Sequence, residues 1–426
     1  MKVLVVGSGG KDHAIVWSLA QSKKVNQIFC APGNAGISKL AECVDIKIDD
    51  IESLCTFARE NNIDLTVVGA KLPLSLGIVD LFKKNNLLIF GPTQASTKIE
   101  ASKSFAKKLF NKYRIPTAPY AIFDKELQAI EHVRKSKYPL VLKYDGPYAR
   151  QSVFICETFE QSKRVIENCF ENLYKSIVIE EFLTGKEISF HVITDGYNAV
   201  PLSTAQNYKK AFDGNAGPNT EGMGSYAPVS FIDSNLEEKI AQKIIFPLID
   251  ALTSEGISFT GILHANLLID EKNNPYLLGV NSSIGDPEAQ VILPLLEDDL
   301  FDIMYSAAIG AFADDYEYFN LSDSHAVSVV ITSAGYPGPC KKGNPIEGLE
   351  FIDDDDVLVF HSGTAKNKYA ELITNDGRVL SVTALASTLH RAYDKVYDAV
   401  DLIDFKDMRY RKDIAKYYIE QLSCIL

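Results

Sequence analysis

The chain has 426 residues, 23% of them charged, and a formal net charge of −13. That length allows three or four modules around a sizeable core, and the acidic balance argues against nucleic acid or an anionic membrane as a partner, since either needs a basic face. No apolar run reaches the roughly 18 residues of a membrane span, and seven cysteines without a CxxC pair fit a reduced, cytoplasmic protein.

The chain opens with MKVLVVGSGG. The apolar stretch is broken after a few residues by glycines and has no small-residue cleavage site, so it reads as a buried first strand and not as a signal peptide. The helix-like DHAIVWSLAQS follows, and then QIFCAPGNAG, DLTVVGA and LLIFGPT, each a strand running into a turn. Short strands alternating with helices over residues 1–101 predict a parallel sheet covered on both faces. Ligands sit at the carboxyl ends of such strands, where GSGG, APGNAG, GAKLPL and GPT fall.

GSGG between a strand and a helix suits a phosphate, because the backbone can approach closely and the helix start presents free N–H groups. A tight turn without a ligand is the alternative. A nicotinamide dinucleotide is the poorest fit. The third glycine of G-x-G-x-x-G is Asp12 here, and the second strand ends in Cys30-Ala31-Pro32, with no acidic residue for a ribose.

Residues 102–325 change pattern. KYPLVLKYDGPYARQSVFICET predicts a hairpin, and SIVIEEFL, GKEISFHVITDG and NAVPLSTAQ three more strands. A helical stretch over about 235–254 precedes a strand pair turning at Asn273-Asn274. This is α+β, mostly antiparallel. In residues 326–426 three further strands precede a helical stretch near 386–400.

GSGGKDHA, APGNAG, VVGAKLPLSLGIVD, GPT…EASK, VLKYDG, VIEEFLTGKEISF, GPNTEGMGSYAP, NSSIGDPEAQ, SAGYPG, VFHSGT, GRVLSVTAL and YRKDIA occur in this order over residues 1–415. Together they resemble the phosphoribosylamine–glycine ligases (glycinamide ribonucleotide synthetases) of the ATP-grasp superfamily. The resemblance implies a multidomain α/β and α+β chain: a Rossmann-like domain over 1–101, an ATP-grasp core over 102–325 with a hinged lid at about 122–188, and a C-terminal α+β domain over 326–426. It implies a cytoplasmic enzyme of purine biosynthesis whose partners are small molecules. Glycine is joined to 5-phosphoribosylamine with ATP and Mg (or Mn), through glycyl phosphate. Such chemistry depends on positioning and charge neutralisation.

The resemblance assigns residues as follows. Lys103 and Lys143 match lysines directed at nucleotide phosphates, a task suited to a compact charge. Glu180 matches a position near the adenine hinge, and Glu187 that of a ribose-hydroxyl acceptor. Asn219 and Thr220 of GPNT, and Asp286 of GDPE, match the reactive centre; Asp286 as a helix cap is the alternative. Gly9, Gly10, His13, Asn34 and Gly36 match loops around the ribose phosphate.

Several charges of the family pattern are replaced. The family's metal segment, Glu-Phe-Asn-Cys-Arg-Phe-Gly-Asp-Pro-Glu, becomes residues 279–288 here, so its Mg-bridging Glu is Gly279 and its Arg is Ser283. Mg commonly takes one or two carboxylates in an octahedral oxygen shell, which leaves Asn281 and Glu288 as the metal candidates. In the lid loop two glycines are replaced by Arg150 and Ser152, and a lysine by Gln151. Gly-Pro-Glu becomes Gly69-Ala70-Lys71, beside the expected amine substrate, and Arg-Glu-His becomes Lys11-Asp12-His13. Three readings follow: the ligase itself, an impaired or inactive homologue that keeps nucleotide or phosphosugar binding, and a ligase with another acceptor marked by Lys11 and Lys71.

Overall fold

A computed structural model of the chain describes residues 1–146 and 152–423. The first strand, Lys2–Gly7, is the centre of a five-stranded sheet. It pairs in parallel with Gln27–Pro32 on one side and Leu65–Val68 on the other, and Glu42–Cys43 and Ile89–Phe90 form the edges. Successive side chains of a strand point to opposite faces, and this strand is apolar on both. Val3 and Val5 pack in one core with Ile15 and Leu19 of the helix Gly10–Ala20, whereas Leu4 and Val6 pack in another with Leu54, Leu74 and Phe82. Burial on both faces is what a parallel sheet between helical layers requires.

A four-stranded antiparallel sheet follows, with strands in the order Tyr120–Phe123, Ser176–Glu181, Leu140–Asp145, Val153–Cys156. The helices Glu126–Lys135 and Phe159–Glu171 cover it, through Ala129, Val133, Ile166 and Cys169.

The largest sheet has eight strands. In spatial order they are Pro275–Asn281, Gly261–Ile269, Lys186–Thr194, Ala199–Asn207, Gly224–Ala227, His325–Thr332, Arg378–Ala386 and Val357–His361. The antiparallel pairing of Gly224–Ala227 with His325–Thr332 carries this sheet across residue 325. The strands at the end of the chain are therefore hydrogen-bonded into the same sheet as the core, and the start of Arg378–Ala386 lies beside the GDPE loop: Arg378 Nη1 donates to the Asp286 carbonyl at 2.9 Å. Among the described residues no helix is long and apolar enough to cross a membrane.

Candidate functional site

Two cavities of similar size, about 630 and 620 Å³, meet at Thr220, Glu221, Asp286 and Arg378, which line both. The first lies between the four-stranded sheet and the eight-stranded sheet. Its apolar part is built by Val141, Ile155, Phe182, Leu183, Leu268 and Leu278, and its polar part is rich in lysine. The second lies against the glycine loops, between Gly9, Asn34 and Asn219 on one side and Tyr336 and Gly363 on the other.

Lys143 projects from the strand Leu140–Asp145 and is buried. Its Nζ lies 2.7 Å from Glu180 Oε1 and donates to the Leu278 carbonyl at 3.0 Å. Glu180 also holds Lys107 at 3.0 Å. Burial pushes the Lys107 ammonium down to about 8, against the pull of Glu180. Glu180 is thus the buried counter-ion of two lysines, and this pairing permits a charge at that depth. Lys103 donates to the Glu100 carbonyl at 2.8 Å and is likewise lowered by burial. Glu187 pairs with Lys209 at 2.8 Å, which holds its carboxyl below the usual range. All of these except Glu100 line the first cavity.

The replaced residues are brought together in space. Lys11 reaches from the first turn of the helix Gly10–Ala20 to Ser283 Oγ at 2.9 Å, so a lysine from the N-terminal helix covers the place where the family's arginine is missing. Lys71 lies 2.5 Å from Glu100 Oε1 and 3.1 Å from Asn281 Oδ1. Burial alone raises a carboxyl, but Lys71 and the bonds from Ser282 outweigh it and hold Glu100 below its ordinary value. Lys11 and Lys71 line the first cavity and are absent from the lining of the second. Lys71, expected beside the amine substrate, thus stands in the wall of the first cavity and not of the second.

The metal candidates Asn281 and Glu288 do not converge. The His264 ring lies between them, with Nδ1 3.2 Å from Asn281 Nδ2 and Nε2 3.9 Å from Glu288 Oε1. Glu288 is buried and accepts from Ser189 at 3.0 Å and Asn207 at 3.2 Å, while the Asn281 oxygen faces Lys71. Among the described residues no group of three or more His, Cys, Asp or Glu is arranged to hold a metal. A Cβ built on Gly279 meets nothing within 4 Å, so the space of the missing carboxylate is open. The donor set here does not fit a protein-bound Mg at the family's position.

Asp286 does not cap the short helix Ala289–Ile292, which disposes of the capping alternative. Its Oδ1 accepts from the Gln290 side chain at 2.8 Å, and its Oδ2 lies 3.1 Å from Arg378 Nη2. Gly9, Asn34, Asn219 and Thr220 line the second cavity. Asn34 organises it: the amide donates to the Ser8 and His361 carbonyls, and the oxygen accepts from Gly36 and Ile37 N–H. Gly10, His13 and Gly36 lie behind the wall. A Cβ on Gly10 would meet Gln290 at 2.5 Å, and one on Gly36 would meet the His361 ring at 2.3 Å. His13 Nδ1 accepts the His361 N–H at 2.8 Å, and burial pushes its imidazole down to about 3.

Two N–H groups of the glycine loop, just ahead of the helix Gly10–Ala20, are already engaged. Asp12 Oδ2 accepts from both Ser8 N and Gly9 N at 2.8 Å. The residue that breaks the dinucleotide spacing is thus the one that closes the loop. Residues 147–151, with Arg150 and Gln151, lie outside the described residues. Sequence reasoning missed Lys107, Glu100 and Arg378. Arg378 is the second residue of the quoted motif GRVLSVTAL, and an arginine just after a glycine turn was the available signal.

Three models of the phosphoribosylglycinamide synthetase family match the chain: the N domain over residues 1–100, the ATP-grasp (A) domain over 101–289 and the C domain over 326–417. The chain is 42% identical over 423 residues to the phosphoribosylamine–glycine ligase of Caldanaerobacter subterraneus subsp. tengcongensis, covering 98% of this chain and 100% of that protein. The crystal structure of the phosphoribosylamine–glycine ligase from Thermotoga maritima superposes with a TM-score of 0.85 at 29% identity, over 97% of this chain and 100% of that one. The biotin carboxylase domain of Hydrogenobacter thermophilus 2-oxoglutarate carboxylase shares the fold at 17% identity, with a TM-score of 0.74 over 96% and 91% of the two chains.

Proposed function

The chain belongs to the phosphoribosylglycinamide synthetase family, and on that premise we propose that its two joined cavities carry out the family's reaction, the ATP-dependent ligation of glycine to 5-phosphoribosylamine. The carrying observation is the meeting of the cavities at Thr220, Glu221, Asp286 and Arg378. A ligase that activates one substrate on a nucleotide and passes it to a second needs two sites that open on one another.

In this reading ATP occupies the first cavity. The adenine lies in the apolar part near Phe182 and Leu183, Glu187 faces the ribose, and Lys103 and Lys143 face the phosphates. Phosphoribosylamine occupies the second cavity, with its phosphate toward the loops of Gly9 and Asn34 and its amine toward Asp286 and the Asn219–Thr220 turn. A glycine carboxylate oxygen bonds to the γ-phosphorus, the bond to the bridging oxygen breaks, and ADP leaves. The amine then attacks the carbonyl carbon of glycyl phosphate, loses a proton, and expels phosphate with the carboxylate oxygen it received. Lysine charge set in a partly apolar cavity offsets the charge moved in the first step.

Family members are ATP-dependent ligases of the ATP-grasp type, which use Mg or Mn. The inactive-homologue alternative finds no support in the relatives, and Lys11 stands beside Ser283, where the family's arginine is replaced. The third reading, a changed acceptor, loses its motive because both lysines face the first cavity.

Labelling tests the sequence of steps. With glycine carrying ¹⁸O in its carboxylate, one labelled oxygen is expected in each phosphate released. Product formation with unlabelled phosphate would overturn the acyl phosphate route.

A further inference from the structure

Lys71 stands at the carboxyl end of the strand Leu65–Val68, where the family pattern has an acidic residue. Its ammonium is held between a carboxylate oxygen, Glu100 Oε1 at 2.5 Å, and an amide oxygen, Asn281 Oδ1 at 3.1 Å. Glu100 is fixed in turn by Ser282, whose N–H and hydroxyl donate to its other oxygen at 2.8 and 2.5 Å. A carboxylate and an amide oxygen are hard-cation ligands, yet here they surround an ammonium at N–H···O distances. Asn281 is the ligand that the family's metal segment retains, and the carboxylate that should stand beside it is Gly279, with open space above it. The two replacements, Glu to Gly at 279 and Glu to Lys at 71, both make this corner of the site more positive, as a bound divalent cation otherwise does.

An ammonium carries three N–H donors, and two are engaged by these oxygens. The Lys71 side chain keeps 41% of its exposure and lines the first cavity, which leaves the remaining donor accessible. We propose that Lys71 is a built-in cation of the nucleotide site, occupying the place of the protein-held metal and donating to an ATP phosphate. This rests on the reading of the first cavity as the ATP site. It predicts that the protein grips the nucleotide without a protein–metal–phosphate link.

The test is calorimetric titration of the full-length chain with ATP, once in EDTA and once in excess Mg, with circular dichroism to check each variant's fold. The wild-type dissociation constants are expected to agree within about threefold. Lys71→Met is expected to weaken binding in EDTA about tenfold or more, the loss of a charge-assisted hydrogen bond, while Lys71→Arg retains most of the affinity. Lys71→Met combined with Gly279→Glu is expected to bind ATP about tenfold more tightly with Mg than without it. The proposal is overturned if the wild type itself gains about tenfold from Mg, or if Lys71→Met binds like the wild type in EDTA. Should Lys71→Met fail to fold, a loss of about tenfold or more in folded Lys71→Arg, measured in EDTA, overturns the proposal instead. If ATP binds to none of the folded forms, the nucleotide reading fails and takes this inference with it; binding that depends on Mg but ignores Lys71 defeats only the inference.

Discussion

Arg378 Nη2 lies 3.1 Å from Asp286 Oδ2, and Nη1 of the same guanidinium donates to the Asp286 carbonyl at 2.9 Å. A residue 92 positions further along the chain thus fixes the GDPE loop exactly where the two cavities meet. Both side chains are largely buried, so removing one partner leaves the other uncompensated. Arg378→Ala is expected to cost about 3 kcal/mol of stability and to raise KM for phosphoribosylamine about tenfold or more. Urea denaturation and initial-rate kinetics check the two effects separately, and an unchanged KM would remove Arg378 from the acceptor site.

Lys143 shares Glu180 with Lys107. Replacing it with methionine keeps the apolar stem and removes one of the charges proposed to face the phosphates. ATP affinity is expected to fall about ten- to a hundred-fold, measured by calorimetry. Lys107→Met is expected to alter the nucleotide affinity less, because Lys107 is only 2% exposed and also donates to Thr117 at 2.7 Å. Equal effects of the two substitutions would contradict the assignment of Lys143.

Asp12 satisfies two backbone N–H groups of the first glycine loop. Asp12→Ala leaves both without their acceptor, at a cost of about 2 kcal/mol. Thermal or urea unfolding of this variant measures the cost. Full wild-type stability would mean that the loop closes without Asp12.

Four buried histidines set a pH dependence. Burial, mainly, pushes His13 down to about 3 and His361 down to about 4, and it holds His191 and His264 well below the ordinary range. In the unfolded chain each returns to about 6.5. Below that value the unfolded state takes up protons that the folded state refuses, so stability is complete above about pH 6.5 and is lost as the pH falls toward the folded values. Each histidine contributes up to about 1.4 kcal/mol per pH unit in this window. His361→Gln is expected to reduce the slope by about one proton between pH 5 and 6, read from urea denaturation at stepped pH. A slope equal to that of the wild type would contradict a neutral, buried His361.

The sequence made the architecture legible because each element carries its own pattern. KVLVVG is apolar on both faces and becomes the central strand of a parallel sheet; LVLKYD and VFIC pair in antiparallel register. The site was legible only in part. Lys103, Lys143 and Glu187 reach the first cavity because motif order fixes which strand or helix carries them. The partners of the replaced residues were not legible. Lys11 meets Ser283 and Lys71 meets Asn281 across 272 and 210 positions of chain. Read along the sequence they are separate changes, whereas in space each lysine has a partner in the metal segment. His13 and Gly36 illustrate the converse: their place in the motifs does not reveal that His361, from a distant strand, packs against both of them.

The most direct measurement is ADP release by the purified chain supplied with ATP, Mg, glycine and 5-phosphoribosylamine, with glycinamide ribonucleotide followed by mass spectrometry. Steady ADP release matched one for one by the ribonucleotide, and lost when either glycine or phosphoribosylamine is omitted, is the predicted result. A folded protein that binds ATP yet forms no ribonucleotide in the complete mixture would contradict the assignment.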